Sequence, residues 1–336
     1  MPHVTRVFTV FMLFCTTLFL PLAGWSQTDP FPVVIEHAFG TTTITEKPVR
    51  VATVAWANHE VPLALGIVPV GFAAAGFGDD NGDGLLPWVS TRLEELQVGA
   101  PAYREPVLFD EGDGIDFEAV AATRPDVILA AYSGLSQADY DTLSLIAPVV
   151  AYPESPWSTG WREMIRINSA GLGMRAEGDA LIERLENQIA ETVADYPELE
   201  GKTAMFITHL DPTDLSIMRF YTPNDTRVSF FNDLGLRSPD SVARVTGAGQ
   251  YAGEVSVEQI DLFNDVDIFV TYGEKQLREP LESNPLTSRM RAIENGSVVM
   301  LGRGTGATAA NPTPLSIPWV LEAYVGALAE AARKSG

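Results

Sequence analysis

Apolar, strand-like runs alternate with amphipathic helical stretches twice along this chain, and the two series are separated by one long stretch with no strand signal. Such alternation buries strands in an open sheet covered by helices, so the expected fold class is α/β in two units. In the first unit Val49 to Ala55, Val68 to Ala74, Asp126 to Tyr132 and Val149 to Tyr152 read as strands. The helices between them are His59 to Leu65, Asp116 to Thr123 and Gln137 to Ile146. In the second unit Lys202 to Leu210, Ser216 to Thr222, Asp267 to Tyr272 and Ser297 to Leu301 read as strands, followed by a helix over Leu315 to Ala332. The divisions expected are 1–26 for a signal peptide, 33–155 for the first lobe, 156–200 for a linker and 201–336 for the second lobe.

The stretch between the series carries Leu181, Leu185, Ile189, Val193 and Tyr196, one apolar stripe on a helix from about Arg175 to Tyr196 that Pro197 stops. At 1.5 Å per residue it would run roughly 33 Å, enough to bridge both lobes. A single stiff helix predicts small lobe movements. An internal repeat supports the pairing: Glu118 precedes Tyr132 by 14 residues, and Glu258 precedes Tyr272 by 14. In both halves the acid opens a helix that leads into a strand.

Composition narrows the function. With 44 Asp+Glu against 22 Lys+Arg the formal net charge is −22, which excludes a basic face for sequence-independent nucleic-acid binding. The N-terminus has Arg6, an apolar run from Val7 to Leu20, then Pro21 and small residues up to Ser26. This pattern predicts an export signal cut after Ser26, and the run is too short to span a membrane. The cut would remove Cys15, the only cysteine, so the mature chain is expected to fold without disulfides.

Enzyme signatures are missing: there is no nucleophile elbow, no phosphate-cradling loop with Lys, and no mature cysteine. Gly302, Gly304 and Ala307 fit the letters of a dinucleotide fingerprint, but Asn311, Pro312 and Pro314 are expected to keep Gly304 from opening a helix, leaving 302–310 a flexible loop. His37, His59 and His209 lack the spacing of a zinc site, so no resident metal or cofactor is expected. Asp79, Asn81 and Asp83 copy the opening of a calcium loop, yet Ser90 stands where its last ligand belongs, and a solvated acidic turn is the reading. What stands out is a concentration of aromatic and Arg side chains at strand ends. Trp56, Tyr132, Tyr221 and Tyr272 end strands, and Trp88, Trp157, Tyr251, Arg219 and Arg303 lie in or beside loops. Rings make flat cleft walls, and a guanidinium pairs with carboxylate, hydroxamate or catecholate oxygens.

The succession His37 to Gly40, Ile44, Pro48 to Val51, Glu60, Ala64 to Gly66 and Pro69 to Gly71 resembles the opening of the periplasmic iron-siderophore and cobalamin binding proteins of ABC importers. Phe117 to Ile128 and Pro314 to Trp319 fit the same family, and the likeness runs from about residue 35 to 333. It implies two Rossmann-like lobes joined by a single long helix, with a ferric siderophore held between them and no cofactor. It further implies docking of Glu118 and Glu258 onto arginines of an ABC permease, a periplasmic location and a monomer. Arg227 matches a position where siderophore binders carry Arg, and Tyr132 matches a cleft tyrosine of hydroxamate binders. The first-lobe arginine of hydroxamate binders is replaced here by Gly112. Cobalamin or haem binding within the same fold, or an exported enzyme using the cleft, are the alternatives.

Overall fold

The structure is a computed structural model that describes residues 31–247 and 249–336; the expected signal peptide lies outside them. The described chain opens on an antiparallel hairpin of β1 (Val33–His37) and β2 (Gly40–Ile44). Alternation turns Val33, Ile35 and His37 inward, so the hairpin packs as a flap on the first lobe.

Five parallel strands then form one sheet: β3 (Val51–Thr53), β4 (Gly71–Ala73), β5 (Val107–Phe109), β6 (Val127–Ala130) and β7 (Val149–Ala151). Their order is β5-β4-β3-β6-β7. The helices α1 (Glu60–Ala64), α2 (Pro87–Gln97), α3 (Phe117–Ala122) and α4 (Gln137–Ser144) connect them. β3, β4, β6 and β7 are buried along their whole length, as covered parallel strands must be.

Two helices follow, α5 (Trp161–Gly171) and α6 (Arg175–Ala194). α6 carries the expected stripe: Leu181, Leu185 and Ile189 are buried, while Val193 and Tyr196 pack from its edge. At 20 residues it is about 30 Å long. Alone, the stripe gave no sign that α5 would lie against α6 as a second layer.

The second sheet comprises β8 (Ala204–Ile207), β9 (Ile217–Tyr221), β10 (Ala252–Ser256), β11 (Ile268–Thr271) and β12 (Val298–Met300), in the order β10-β9-β8-β11-β12. It is built around α7 (Thr226–Asp233), α8 (Asp240–Val245), α9 (Arg278–Ser283), α10 (Arg291–Glu294), α11 (Thr305–Ala309) and α12 (Ser316–Lys334). The strand order repeats that of the first sheet position for position. The difference is direction, because β9 runs antiparallel to both β8 and β10. One apolar cluster continues from Val61, Leu63 and Phe72 through Leu181 and Leu185 to Phe206, Val228 and Ile268, so both sheets share a core.

The expectation that Gly304 could not open a helix is corrected here. Gly304 is the cap of α11, and the prolines at 312 and 314 lie beyond the end of this five-residue helix instead of inside it. Its first free N–H is already taken: Asp80 accepts from Thr305 N at 3.3 Å and from its hydroxyl at 2.8 Å. Asp80 belongs to the acidic turn, where Asp79 accepts backbone N–H groups of Asn81, Gly82 and Gly84. That turn is thus satisfied by its own backbone and reaches across to the second lobe. Gly78 at its start has φ +77 and lies so close to Thr308 that a Cβ would fall 1.8 Å from the hydroxyl.

Candidate functional site

In both sheets the connections turn in opposite directions at the central pair, β3 with β6 and β8 with β11, and a crevice opens at the carboxyl ends of those strands. Trp56 follows β3 and Tyr132 follows β6; His209 follows β8 and Tyr272 follows β11. The crevices face each other around a cavity of about 290 Å³, lined by these four residues and also by Phe77, Trp157, Tyr221, Arg227, Tyr251, Thr308 and Asn311.

Arg227 is the most constrained group there. Asp225 caps α7 by accepting the Arg227 N–H at 2.9 Å, and the same carboxylate takes the guanidinium as a fork, Nε at 2.7 Å and Nη2 at 2.6 Å. Nη1 donates to the Tyr272 hydroxyl at 3.2 Å, and the guanidinium carbon lies 3.7 Å above the Tyr221 ring. Burial works against the charge, but the bonds and neighbouring charge of Asp225 hold the group protonated. Burial also pushes Tyr221 up to about 12 and raises Tyr132 and Tyr272, so these hydroxyls stay neutral.

On the first-lobe wall Asn58 ties the two central strand ends together. Its amide donates to Val54 O and Tyr132 O, and its oxygen accepts from Tyr132 N. Tyr132 is buried, with its hydroxyl 3.3 Å from the Asn311 amide and 3.4 Å from Thr226, so it seals the floor between the lobes. Trp56 sits between Ala55 and Ala57, both at positive φ (60° and 63°), and Trp157 is itself at 58°. Left-handed backbone at non-glycine residues costs on the order of 1 kcal/mol or more and persists only where the surroundings fix it. Gly134 makes room for Trp157, since a Cβ there would fall 2.3 Å from the indole nitrogen. The Trp56 Nε1 is buried without a partner.

Six of the eight expected ligand residues therefore meet at the seam: Trp56, Tyr132, Trp157, Tyr221, Arg227 and Tyr272. The other two do not. Arg219 is exposed on β9 and pairs across the ladder with Glu254 at 3.3 Å. Arg303 does not line the cavity at the seam, although its charge, after burial, helps lower the pKa of His209. Trp88 is a buried member of α2, not a cleft residue. Glu118 and Glu258 are both exposed. Glu118 lies in the first turn of α3, ahead of β6, and Glu258 in the 3₁₀ turn Val257–Phe263, ahead of β11, so the two occupy equivalent places in the repeat.

Sequence reasoning missed Phe77, Thr308, Asn311 and the siting of His209, which stacks on Tyr272 at 4.8 Å. It also missed a larger cavity of about 590 Å³ in the first lobe, which shares Trp56, Phe77 and Trp157 with the seam. Glu60 and Glu111 line it. Glu60 is buried, accepts from Trp88 Nε1 at 2.8 Å and Leu315 N at 3.0 Å, and takes the Thr313 hydroxyl. Burial outweighs these bonds and pushes it up to about 7. Among the described residues no group of three or more His, Cys, Asp or Glu is placed to hold a metal ion, and no helix is long and apolar enough to cross a membrane.

A family model described as periplasmic binding protein matches residues 51–303. The chain belongs to the periplasmic binding protein family. Within it, the match is to the siderophore-binding proteins, whose two-lobed α/β fold this chain shares. The structure of PiaA from Streptococcus pneumoniae TIGR4 in complex with ferrichrome superposes with a TM-score of 0.85 at 43% identity, covering 90% of this chain and 99% of that one. The Fe(3+)-citrate-binding protein YfmC of Bacillus subtilis (strain 168) is 24% identical over 275 residues, 81% of this chain and 79% of that protein. Staphylococcus aureus SirA complexed with staphyloferrin B superposes at 0.66 with 20% identity, over 87% of this chain and 97% of that one, a likeness of fold alone. Periplasmic binding proteins are carriers of substrate, which agrees with the lack of an enzyme signature in the sequence.

Proposed function

We propose that this periplasmic binding protein captures a ferric siderophore at the seam of its lobes and delivers it to an ABC permease. The observation that carries the reading is Arg227, a guanidinium fixed by a buried carboxylate and set among neutral tyrosines, Trp157 on left-handed backbone and Trp56 between two left-handed alanines, where both lobes meet. A chelate whose oxygens surround the iron offers acceptors to Arg227 and apolar edges to the rings. The ferrichrome bound to the PiaA relative makes a hydroxamate chelate the first choice. Ferric citrate is the second reading: the cation at the seam favours it, while the carboxyls of the first-lobe cavity oppose so anionic a cargo.

Titration of intrinsic tryptophan fluorescence with ferrichrome, a ferric catecholate, ferric citrate and cobalamin tests the proposal. Saturable quenching by ferrichrome is expected, and quenching by cobalamin alone would overturn the iron reading.

The mature chain is proposed to begin after Ser26 and to act as a periplasmic monomer, with Glu118 and Glu258 as its permease contacts. Exposed ion pairs contribute only about 0.2–1 kcal/mol each, which suits docking that must release. Glu118→Ala combined with Glu258→Ala is expected to stop uptake into cells while ferrichrome affinity stays within about twofold, well under the tenfold that corresponds to 1.4 kcal/mol. Loss of ligand binding in that variant, or undiminished uptake, would remove the docking assignment.

A further inference from the structure

We propose that the first-lobe cavity seats a positively charged nitrogen of the cargo, an ammonium carried on the organic frame of the chelate, with Glu111 as its counter-ion. The inference rests on the siderophore reading and specifies which chelates this chain prefers.

The cavity is large enough for an organic arm, about 590 Å³, and joins the seam through Trp56, Phe77 and Trp157. Its ionisable lining is one-sided. Four carboxyl residues face it, Glu60, Asp110, Glu111 and Asp139, and neither Lys nor Arg does. Two of the four are committed within the protein, and a third, Asp110, is exposed to solvent. Glu60 holds Trp88, Thr313 and Leu315; Asp139 closes the capping box of α4; Asp110 accepts the Gly112 N–H at 3.0 Å.

Glu111 is different. It is partly buried, and its one hydrogen bond is from the Ala55 N–H, at 3.0 Å to Oε2 and 3.3 Å to Oε1, with no cationic partner among the described residues. The bond comes from a residue held at φ 60, so strained backbone fixes where this carboxyl sits. Burial, opposed by the Ala55 bond and reinforced by the Asp116 charge, pushes Glu111 up to about 7, as befits a carboxyl short of counter-charge.

A second group in the cavity is also unfilled. His59 is 8% exposed, stacks on Phe72 at 4.3 Å and has an Nδ1 without a partner. Burial lowers it to about 3, so it enters as a neutral ring that offers a lone pair or an N–H and does not repel a cation. Across the seam stands the fixed positive charge of Arg227. A cargo with oxygens at one end and an ammonium at the other would lie along that gradient, iron centre toward Arg227 and amine toward Glu111.

The test compares two linear ferric trihydroxamates with the same iron centre, ferrioxamine B with its terminal ammonium and the N-acetylated form without it. Both are titrated against the mature chain, against Glu111→Gln and against Glu111→Ala, with ferrichrome on the unmodified chain as control. The unmodified chain is expected to bind the amine form about tenfold more tightly, the scale of a partly buried ion pair, and both variants should bring the ratio to about one. Because the ratio is internal to each protein, a general loss of affinity in a variant does not disturb it. Equal affinity of the two forms for the unmodified chain, or a preference that survives both substitutions, overturns the assignment. If the trihydroxamates and ferrichrome bind but do not differ, only this inference falls; if none binds, the siderophore reading falls with it.

Discussion

Arg227→Met is expected to weaken binding of a ferric hydroxamate by at least about a hundredfold and to destabilise the fold by about 3–5 kcal/mol, the cost of leaving a buried charge unpaired. The two losses have different origins. Binding is lost because the cargo's oxygens lose a charged donor at the seam. Stability is lost because the side chain of Asp225 is fully buried and Arg227 supplies three of its hydrogen bonds, two of them from the guanidinium.

Adding Asp225→Asn separates the effects. Asparagine still caps α7 and leaves no charge behind, so the double variant should regain most of its urea midpoint while cargo binding stays lost. Arg227→Lys keeps the charge but not the fork, and should fall between the unmodified chain and Arg227→Met in both measurements. Retention of normal ferrichrome affinity by Arg227→Met would show that the guanidinium is structural only.

Stability is expected to fall between pH 5 and pH 8, with Glu60 as a principal cause. The folded chain holds the Glu60 proton up to about 7 against an ordinary value of 4.5, so between those values the folded state carries more bound proton than the unfolded. The contribution is present in full below pH 4.5 and is lost as pH rises through 7. A shift of that size corresponds to about 3 kcal/mol. Glu111, also pushed up to about 7, adds a change of the same sign, so the informative quantity is the difference between variants.

Glu60→Gln should remove the Glu60 share of the slope. It should also cost about 1–3 kcal/mol at low pH, because one amide cannot accept on both sides and either Trp88 or Leu315 loses its partner. Urea unfolding of both proteins at pH 5, 6, 7 and 8 measures this. Parallel slopes would show that Glu60 does not titrate in this range.

The sequence made the periodic parts of the fold legible and left the edges hidden. The strands around β3, β6, β8 and β11 are continuous apolar runs, and the stripe on α6 recurs at helical spacing, so these could be read directly. β5 and β10 could not: three residues, Val107–Phe109, and the sequence Ala-Gly-Glu-Val-Ser carry too little pattern. Missing β5 had a further effect. Glu111 lies two residues past its end, where open α/β sheets place ligands, and went unnoticed because no strand was recognised ahead of it. His209 stands in the same relation to β8 and was accessible to that rule; its isolation from other histidines drew attention away.

The hairpin of β1 and β2 advertised itself through Val33, Ile35 and Ile44 but was overshadowed by the prolines around it. Tyr221 and Tyr272 were legible as residue types at strand ends, and Arg227 as one at a helix start. What no spacing encodes is that Asp225 grips the guanidinium while the Tyr221 ring lies beneath it. Arg219 had the right residue type and shares its face of β9 with Tyr221, but it stands two residues back from the strand end, exposed and paired across the ladder with Glu254.

Phe72 of one half and Phe206 of the other belong to the same apolar mass as Leu185 of α6, so each half, beside clusters of its own, shares part of its interior with the other. The repeat in strand order is therefore a kinship of pattern and does not give two independently foldable modules. Detaching one half would put its share of that mass into water, so unfolding of one half is expected to destabilise the other. Occupancy of the crevice therefore bears on both halves at once: a ligand that touches only the meeting line is expected to raise the unfolding free energy of the shared interior and, through it, of each lobe.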